Sequence, residues 1–321
     1  MMAVASTSPL VFGPVPSRRL GQSLGINNIP PKSCTYSCLY CQVGATSGAS
    51  AERRHFFAPD TLVESITARV AELRRDDGRV DVLTFVPSGE PTLDRHLGET
   101  ILALKPLGLP IAVITNGSLL WRDDVRVELA GADIVSVKVD TVNPSTWHRI
   151  NQPCPPLQLE EVLAGMKAFA AQYRGRLLTE TMILAGVNDS DAELAGAAQF
   201  VEGLRPAVAY LAIPTRPPAD PTVTAPSDET LAMAFDQFAT RLPRVELLVG
   251  YDDQPFEVGE DVAASLLAIA TVHPMRREEV AQILRDAAEP WSLVEDLVAR
   301  GALAEVGHGG STFYLRRRPE P

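Results

Sequence analysis

The sequence predicts an α/β protein built on a parallel sheet, and two patterns in the chain support this fold class. Short runs of β-branched and other apolar residues recur between about residues 20 and 252, and the stretches between them place apolar residues at helical spacing. Parallel strands need a crossover connection, which such helices supply. The expected strands are Leu24–Ile29, Val80–Val86, Pro110–Thr115, Ile134–Val139, Leu177–Leu184 and Ala207–Ile213, with Val245–Val249 as a possible further strand.

Three of the intervening stretches are predicted helices, Thr61–Arg74, Glu160–Tyr173 and Asp191–Gly203. The first shows the pattern most plainly, because its apolar residues recur every three or four positions and would share one face. Asp60 and Ser190 each lie at the start of such a stretch, and we expect them to be N-caps. These helices would form crossovers between the strands.

The last part of the chain, residues 261–321, has a different pattern, with three helical stretches followed by a β-hairpin. Gly309-Gly310 suits the turn between the two hairpin strands. Three helices and a hairpin resemble a winged helix-turn-helix, so we expect two domains, residues 1–258 and 259–321. The expected elements are Val262–Ala270, Arg276–Asp286, Trp291–Arg300, Ala302–Val306 and Thr312–Arg316.

The charge of the chain argues against a broad surface for nucleic acid. The formal net charge is −11, and residues 261–321 hold 7 basic and 9 acidic side chains. The third helix of this segment, which would meet DNA bases in a winged helix, contains Glu295 and Asp296 against Arg300. Nucleic-acid binding is therefore not favoured, and we expect this domain to contact a partner protein, a peptide or the first domain.

The sequence contains no pattern of a membrane span or an export signal. It has no run of about 18 apolar residues, and Met1–Leu10 has neither a charged start nor a long apolar stretch. We therefore expect a protein of the reducing cytoplasm, without a membrane partner.

Three of the four cysteines, Cys34, Cys38 and Cys41, fall within eight residues. This spacing places three soft thiolates on one loop, and such ligands suit an iron–sulfur cluster. A four-iron cluster with three protein ligands keeps one iron open for a small molecule. A zinc site is the main alternative, but His55 and Cys154 do not make the usual second ligand pair. A disulfide framework would instead suit a small secreted chain.

With this motif, the chain resembles the radical S-adenosylmethionine (radical SAM) superfamily. The resemblance implies a partial (β/α)6 parallel barrel, with a [4Fe-4S] cluster on Cys34, Cys38 and Cys41 and S-adenosylmethionine on the open iron. It also implies that an electron, from a donor such as flavodoxin or ferredoxin, cleaves S-adenosylmethionine to a 5′-deoxyadenosyl radical. This radical would remove hydrogen from a substrate, which would be a small molecule, a peptide or an RNA.

Further motifs of this superfamily follow the expected strands, where a parallel barrel places its chemistry. Ser88-Gly89-Glu90 resembles the Gly-Gly-Glu motif that meets the amino group of S-adenosylmethionine, with Ser88 in place of the first glycine. Backbone carbonyls and a carboxylate are suitable acceptors for an ammonium group. Tyr40, directly before the third cysteine, resembles the position that meets the adenine.

Three later segments would complete the cofactor site. Ser136, Lys138 and Asp140 alternate on the fourth strand and share one face, which would be costly inside a barrel unless they meet a polar ligand. By the resemblance, Lys138 would pair with the methionine carboxylate, and Ser136 or Asp140 would hold the ribose; a structural Lys–Asp pair is the alternative. Asn116 would line the barrel mouth near the methionine or ribose, and Asn188 would meet the adenine, unless these residues form a turn and a helix cap.

The segment Gly13–Gly21 extends the resemblance to the radical SAM subgroup related to 4-demethylwyosine synthase, which builds a tricyclic guanine in tRNA. Arg18 and Arg19 in this segment would bind an anionic substrate or support the cluster loop, with surface salt bridges as the alternative. Arg216, in the proline-rich loop Pro214–Pro226, is a third candidate for substrate contact.

The sequence thus predicts a radical SAM enzyme, with two alternatives. A tRNA-modifying enzyme is favoured by the subgroup resemblance, but Met1–Ser33 lacks the extra cysteines that would hold a second cluster. An iron–sulfur sensor with a DNA-binding winged helix is disfavoured by the polar residues Glu90, Lys138 and Asp140, which a sensor does not need. Cys154 cannot hold a cluster alone and is expected to be incidental rather than a radical relay.

Overall fold

A computed structural model of the chain describes residues 9–250, 256, 258–259 and 261–316. Its main feature is an eight-stranded sheet whose strands are neighbours in chain order. The first two strands are antiparallel, and every later pair is parallel, as the alternation of strands and helices predicts. The strands are β1 (Val11–Ser17), β2 (Gly21–Ile26), β3 (Val82–Phe85), β4 (Ile111–Thr115), β5 (Ile134–Lys138), β6 (Arg176–Met182), β7 (Val208–Ala212) and β8 (Val245–Leu248).

Helices connect the parallel strands, and their apolar faces join the strands in one hydrophobic core. The first helix buries Leu62, Ile66, Val70 and Leu73, the face that the sequence predicts. Removing such side chains from water is the main stabilising contribution of these contacts. The helices are α1 (Pro59–Arg75), α2 (Leu97–Leu104), α3 (Asp123–Leu129), α4 (Pro144–Ile150), α5 (Leu159–Gln172), α6 (Asp191–Leu204) and α7 (Asp228–Ala239), with short 3₁₀ turns at Pro91–Leu93 and Lys105–Leu107.

The two predicted helix caps have different outcomes. Ser190 caps α6, because its hydroxyl accepts a hydrogen bond of 3.3 Å from the backbone N–H of Glu193. The prediction for Asp60 is wrong, since α1 begins at Pro59 and Ala58 occupies the N-cap position. Proline suits the first helical position, where its missing N–H would have no partner. Asp60 lies in the first turn instead, where its charge is favourable to the helix dipole.

The strand β1 is not predicted from the sequence, because Pro14 and Pro16 interrupt its apolar pattern. It forms at the edge of the sheet, where a proline need not donate to a further strand, and its pairing with β2 is irregular. The ring of Phe12 lies so close to Gly25 of β2 that any side chain at Gly25 would collide with it. Phe12 therefore fixes the position of β1 on the sheet.

The sheet curls into an open half-barrel. The guanidinium of Arg18, in the turn between β1 and β2, donates a hydrogen bond of 2.8 Å to the carbonyl of Gly250, which follows β8. This contact joins the two edges of the sheet across the open side of the half-barrel. The partial parallel barrel implied by the resemblance is confirmed, and β1 is an addition to it.

Residues 261–316 form a smaller unit, which contains three helices and a three-stranded sheet in the order β10-β11-β9. Gly309 and Gly310 have φ of 55° and 78°, as a two-residue turn of the I′ type requires. The winged helix-turn-helix interpretation and the domain boundary at residues 258–259 stay predictions. The elements are α8 (Val262–Ala270), β9 (Met275–Arg276), α9 (Arg277–Asp286), α10 (Ser292–Ala299), β10 (Leu303–His308) and β11 (Ser311–Arg316).

This C-terminal unit packs directly on the half-barrel. Phe12 and Val15 of β1 belong to the same hydrophobic cluster as Val262, Leu266 and Ile269 of α8. Within the described ranges, no helix combines the length and the apolar character that a membrane crossing requires. Residues 1–8, on which part of the expectation about export rests, lie outside those ranges.

Candidate cofactor and substrate site

A cavity of about 410 Å³ lies inside the half-barrel at the carboxyl ends of its strands. Its volume falls within the range of small-molecule sites, about 300–1,000 Å³. Three predicted site residues, Ser136, Asp140 and Asn188, are not part of its lining. The predicted residues that line it are Arg18, Arg19, Cys34, Cys38, Tyr40, Cys41, Ser88, Gly89, Glu90, Asn116, Lys138 and Arg216.

The loop after β2 places its three thiols against this cavity. Two side-chain amides approach the sulfur atoms from other loops. Nδ2 of Asn116 lies 3.8 Å from Sγ of Cys34, and Nδ2 of Asn151 lies 3.5 Å from Sγ of Cys38. Sulfur is a weak hydrogen-bond acceptor, and these amides would favour its thiolate form.

Burial and the neighbouring thiol of Cys41 raise the pKa of Cys38 to about 12, and burial also raises the pKa of Cys34. Both thiols are therefore protonated at neutral pH, and a metal would displace their protons on binding. In the part of the chain that the structure describes, no three Cys, His, Asp or Glu side chains converge to hold a single metal ion. In a four-iron cluster, each thiolate binds a different iron, so its ligands need not converge.

Glu90 follows β3 and is fully buried, with four hydrogen bonds to its carboxylate. Oε1 accepts from the backbone N–H of Thr92 (3.0 Å) and from the hydroxyls of Thr92 (2.6 Å) and Thr115 (2.7 Å), and Oε2 accepts from the backbone N–H of Asn116 (2.8 Å). Burial raises the pKa of Glu90, although these hydrogen bonds act against the shift. A cationic ligand group in the cavity would stabilise its charged form.

Gly89 lies where no other residue fits. A Cβ at this position would collide with the backbone carbonyl oxygen of Ser33, which precedes the first cysteine. The same carbonyl accepts a hydrogen bond of 2.9 Å from the backbone N–H of Glu90, and the carbonyl of Ser88 accepts one of 2.7 Å from Lys32. The loops after β2 and β3 therefore run side by side along the cavity.

The chain thus combines three cysteines after its first parallel strand with a Gly-Glu pair after the next, both on one cavity. Residues 28–198, a little over half of the chain, match the family model described as the radical SAM superfamily. The chain belongs to the radical SAM superfamily. Members of this superfamily use a [4Fe-4S] cluster and S-adenosylmethionine.

This radical SAM protein has relatives of nearly its own length. A UPF0026 protein of Methanocaldococcus jannaschii is 40% identical over 309 residues, which is 96% of each chain. A UPF0026 protein of Helicobacter pylori is 31% identical over 281 residues, covering 86% of this chain and 88% of the relative. Among solved structures, a radical SAM methyltransferase from Sphaerobacter thermophilus matches with a TM-score of 0.51 at 16% identity, covering 72% of this chain and 67% of that one. The last similarity is one of fold.

The cavity suits the cofactors of the superfamily. It offers three thiols to a cluster and a buried carboxylate, Glu90, to an ammonium group. The buried hydroxyl of Ser136 has no hydrogen-bond partner among the described residues, but Ser136 does not line the cavity. Buried hydroxyls usually find a partner in the protein, in water or in a ligand. Ser136 lies two residues before Lys138 on β5, so both side chains point to the same face of the sheet.

Tyr40 and Asp140 are joined to each other in the radical SAM protein. The hydroxyl of Tyr40 donates a hydrogen bond of 2.5 Å to Oδ2 of Asp140, which also accepts one of 2.8 Å from Asn151. Oδ1 of Asp140 accepts from the backbone N–H of Met182 at 3.0 Å. The carboxylate therefore holds the cysteine loop against the ends of β5 and β6. The ring of Tyr40 lines the cavity, 5.1 Å from Nζ of Lys138.

Lys138 pairs with Glu180 of β6, and not with Asp140 as the structural alternative supposed. Arg19 binds the second oxygen of the same carboxylate, so Glu180 is buried between two cations. Burial alone would raise the pKa of Glu180, but Arg19 and Lys138 lower it to about 2. Burial would likewise lower the pKa of Lys138, and Glu180 and Asp140 raise it. Arg19, Lys138 and Glu180 all line the cavity, and together they carry a net charge of +1.

Arg18 and Arg216 line the cavity from different sides. Arg18 donates to the carbonyl of Gly250 at the open edge of the sheet. Nε of Arg216 donates to the carbonyl of Pro274 at 3.0 Å, and its Nη2 donates to Nε2 of His273 at 2.8 Å. Arg216 therefore connects the proline-rich loop to the C-terminal unit.

The proline-rich loop Pro214–Pro226 also supports the cysteine loop. The backbone N–H of Asp220 donates a hydrogen bond of 2.9 Å to the carbonyl of Leu39. Val223 packs in one buried cluster with Tyr40. The loop therefore belongs to the site and is more than a surface connection.

Asn188 and Cys154 lie outside the cavity. Nδ2 of Asn188 donates hydrogen bonds of 2.8 Å to the backbone carbonyls of Asp140 and Met182, which fixes the turn after β6. Cys154 is buried in the main hydrophobic core, and its backbone N–H donates to the carbonyl of Thr35 at 3.0 Å. Its surroundings are those of a structural residue.

Among the residues of the site that the sequence patterns miss are Glu180, Asn151 and His273. Glu180 could have been found, since it is an acidic residue inside a predicted strand, and a buried charge calls for a partner. Asn151 and His273 follow other elements, and only the tertiary fold brings them to the cysteine loop and the cavity.

Proposed function

We propose that the chain is a radical SAM enzyme that reductively cleaves S-adenosylmethionine at a [4Fe-4S] cluster held by Cys34, Cys38 and Cys41. When bound, these cofactors supply a 5′-deoxyadenosyl radical, which removes a hydrogen atom from a substrate in the cavity. One observation supports the proposal above all others: the three thiols, Gly89 and Glu90 line the same cavity at the carboxyl ends of parallel strands.

Individual residues of the cavity support distinct roles. Glu90 is the proposed acceptor for the amino group of S-adenosylmethionine, because its four hydrogen bonds all come from neutral donors. Lys138 is proposed to meet the methionine carboxylate, and the ring of Tyr40 to meet the adenine. Asp140 and Asn188 lie outside the cavity lining and are proposed as positioning residues. Asp140 accepts a hydrogen bond from Tyr40, and Asn188 fixes the turn after β6.

The remaining predicted contacts belong to the same proposal. Ser88 and Gly89 are proposed to offer backbone carbonyls to the amino group, and Asn116 to lie near the methionine or ribose. Ser136 stays a predicted ribose contact, although its buried hydroxyl is not part of the cavity lining. Flavodoxin or ferredoxin in the cytoplasm would deliver the electron. Enclosure by protein keeps water away from a radical, and residues of both the half-barrel and the C-terminal unit line the cavity.

Anaerobic reconstitution with iron and sulfide, followed by dithionite and S-adenosylmethionine, tests the proposal directly. We expect 5′-deoxyadenosine to appear on chromatography. Cys38→Ala should abolish both the four-iron absorbance and this product, since it removes one of three ligands. Cys154→Ala is the matched control and should keep both, because Cys154 lies in the core outside the cavity. A Cys38→Ala protein that retained both signals would refute the ligand assignment.

The two alternative functions have their own readouts. An iron–sulfur sensor predicts cluster-dependent DNA binding and no cleavage of S-adenosylmethionine, even when candidate substrates are added. A tRNA-modifying enzyme predicts salt-sensitive tRNA binding, because phosphate contacts release counterions. The net charge of −11 and the polar side chains of Glu90 and Lys138 at the cavity favour the general proposal over both.

A further inference from the structure

The backbone at the end of α4 runs beside the cysteine loop and is bonded to it on both sides of Cys38. The N–H of Leu39 donates a hydrogen bond of 2.9 Å to the carbonyl of Ile150. The N–H of Ser37 donates one of 3.0 Å to the carbonyl of Asn151, the C-cap residue of the helix. Because Cys38 lies between the two donors, these bonds fix the position of Asn151 relative to its thiol.

The side chain of Asn151 is buried, and Asp140 determines which way its amide points. Nδ2 of Asn151 lies 2.8 Å from Oδ2 of Asp140. A carboxylate accepts hydrogen bonds, so the nitrogen of the amide and not its oxygen must face it. This contact uses one of the two hydrogens on Nδ2. The second hydrogen remains for another acceptor.

Sγ of Cys38 is the acceptor that the geometry favours for this second hydrogen. It lies 3.5 Å from Nδ2 of Asn151. The hydroxyl oxygen of Tyr40 lies at the same distance, but N–H···O bonds are usually about 2.7–3.2 Å long. A sulfur atom is larger than an oxygen atom, and its hydrogen bonds are correspondingly longer. A thiolate that binds iron is also negatively charged, which strengthens the bond.

A donor at this sulfur affects how readily a bound cluster accepts an electron. The cluster becomes more negative when it is reduced, and part of this charge lies on its sulfur ligands. A hydrogen bond to a ligand sulfur stabilises the reduced form more than the oxidised form, so it raises the reduction potential. The effect is larger in the protein interior than in water, since the surroundings screen the interaction less.

We infer that Asn151 raises the reduction potential of the cluster by donating its amide N–H to the thiolate of Cys38. The cluster gains one electron and the electron donor loses one, while no covalent bond of Asn151 is formed or broken. Asn151 is not part of the cavity lining, so it acts on the cluster and not on S-adenosylmethionine or the substrate. The inference rests on the cluster ligands of the proposed function and is independent of the cleavage step.

A redox titration of the anaerobically reconstituted full chain, without S-adenosylmethionine, tests this role. Electron paramagnetic resonance (EPR) of the reduced cluster reports the fraction reduced at each potential. Asn151→Leu removes the donor and keeps a side chain of similar size. We expect it to shift the reduction equilibrium about tenfold toward the oxidised form, which lowers the potential by about 59 mV for one electron. An unchanged potential in a fully loaded Asn151→Leu protein would overturn the inference.

Asn143→Ala is the matched control, because Asn143 lies at the opposite end of α4. Its exposed side chain accepts a hydrogen bond of 2.9 Å from the backbone N–H of Ser145 and caps the helix. The control therefore loosens the same helix but leaves the amide near Cys38 in place, and its potential should match that of the wild type. Equal shifts in both variants would show that the potential follows the helix and would contradict a direct bond to the sulfur.

Pulsed EPR on a protein that keeps Asn151 decides the question if Asn151→Leu does not hold a cluster. With ¹⁵N in the asparagine side chains, the reduced cluster should be coupled to an amide nitrogen through the hydrogen bond. Asn116 also has its amide near a thiol, 3.8 Å from Sγ of Cys34. The coupling should therefore persist in Asn116→Ala, and its absence from that protein would refute the inference.

The outcomes separate this inference from the proposed function. If the wild-type protein takes up no cluster, both fail. If 5′-deoxyadenosine forms but the potential of Asn151→Leu is unchanged, only the inference fails. If the potential shifts and 5′-deoxyadenosine never forms, the proposed cleavage of S-adenosylmethionine fails while the role of Asn151 stands.

Discussion

At the scale of single residues, Glu180 determines the charge balance inside the half-barrel. Its carboxylate is buried and binds Arg19 and Lys138, which come from opposite parts of the sheet. Breaking a buried ion pair by removing one partner is far more costly than breaking an exposed one, because the remaining charges stay desolvated. Glu180 therefore stabilises the interior as much as it shapes the cavity.

Glu180→Gln should destabilise the protein by about 3–5 kcal/mol at pH 7, since two cations would lose their counter-charge. Glu246→Gln is the control, because Glu246 pairs with Arg244 at the surface and such pairs contribute about 0–1 kcal/mol. Urea denaturation at neutral pH measures both. Equal effects of the two substitutions would show that the buried pairs do not matter to stability.

The pH dependence of the same variant gives an independent check. Glu180 has a depressed pKa of about 2 in the folded chain, against about 4.3 for an unfolded glutamate. Its contribution is therefore complete above about pH 4.3 and is lost as the pH falls toward 2. The stability difference between wild type and Glu180→Gln should accordingly shrink below about pH 4, and a constant difference across this range would contradict the pairing.

Sequence patterns identify a site residue when the residues that form its motif are close together in the sequence. Cys34, Cys38 and Cys41 share one loop and all line the cavity, and Glu90 is adjacent to a glycine in a recognisable motif. Arg19 was expected to bind substrate or support the cluster loop, and it binds a carboxylate from a strand 161 residues away. No local pattern can show which of several acidic residues a long side chain will meet.

At the scale of elements, the contact between two neighbouring loops fixes the position of the cysteine motif. The loops after β2 and β3 approach so closely at Gly89 that a methyl group does not fit beside Ser33. Because Ser33 precedes Cys34, any displacement there moves the first thiol. The glycine of this motif is thus required by packing as well as by its contact with a cofactor.

Gly89→Ala should lower the iron content after reconstitution and destabilise the chain by about 1–3 kcal/mol, the usual cost of overpacking. Gly203→Ala is a suitable control, since Gly203 lies in α6 with no atom within 4 Å of its added Cβ. This control should gain about 0.5–1 kcal/mol from its lower unfolded-state entropy. Iron analysis and urea denaturation of both proteins provide the comparison; full iron loading in Gly89→Ala would disprove the packing argument.

The elements themselves were largely predictable, because most strands and helices have a regular apolar period. α8 has the predicted bounds, and the other predicted strands and helices shift by a few residues at their ends. The helices α2, α3, α4 and α7 and the short strand β9 were not among the predicted elements. β1 was not predicted either, since Pro14 and Pro16 hide it from any local pattern. Its stability comes from Phe12, which packs on Gly25 of β2 and in the cluster with α8.

At the scale of the whole molecule, the half-barrel and the C-terminal unit share one cavity. Ser88 shows why the sequence did not predict this shared cavity. By sequence, Ser88 is a mild departure from the glycine of the motif. Its hydroxyl nevertheless donates a hydrogen bond to the carbonyl of Thr271, 183 residues away, the first residue of the roof segment (Thr271–Pro274). The side chain that departs from the motif connects the two parts of the protein.

Ser88→Ala should loosen the roof segment, because it leaves the buried carbonyl of Thr271 without this donor, at a cost of about 1–3 kcal/mol. Hydrogen exchange at the amides of Thr271, Val272 and His273 should become faster, while exchange in β3 and β4 stays slow. Ser65→Ala, which removes a hydroxyl from the exposed face of α1, should change neither region. Unchanged exchange in the roof segment of Ser88→Ala would show that this hydrogen bond does not restrain it.

The position of the roof segment along the chain has a consequence for biosynthesis. A polypeptide leaves the ribosome from its N-terminus, so all eight strands and the three thiols emerge before Thr271 does. During that interval the nascent half-barrel is open on the side that the roof segment later closes. An iron-delivery factor that acts on the growing chain would therefore reach the thiols before Gln42, Ser88 and Arg216 acquire their final partners.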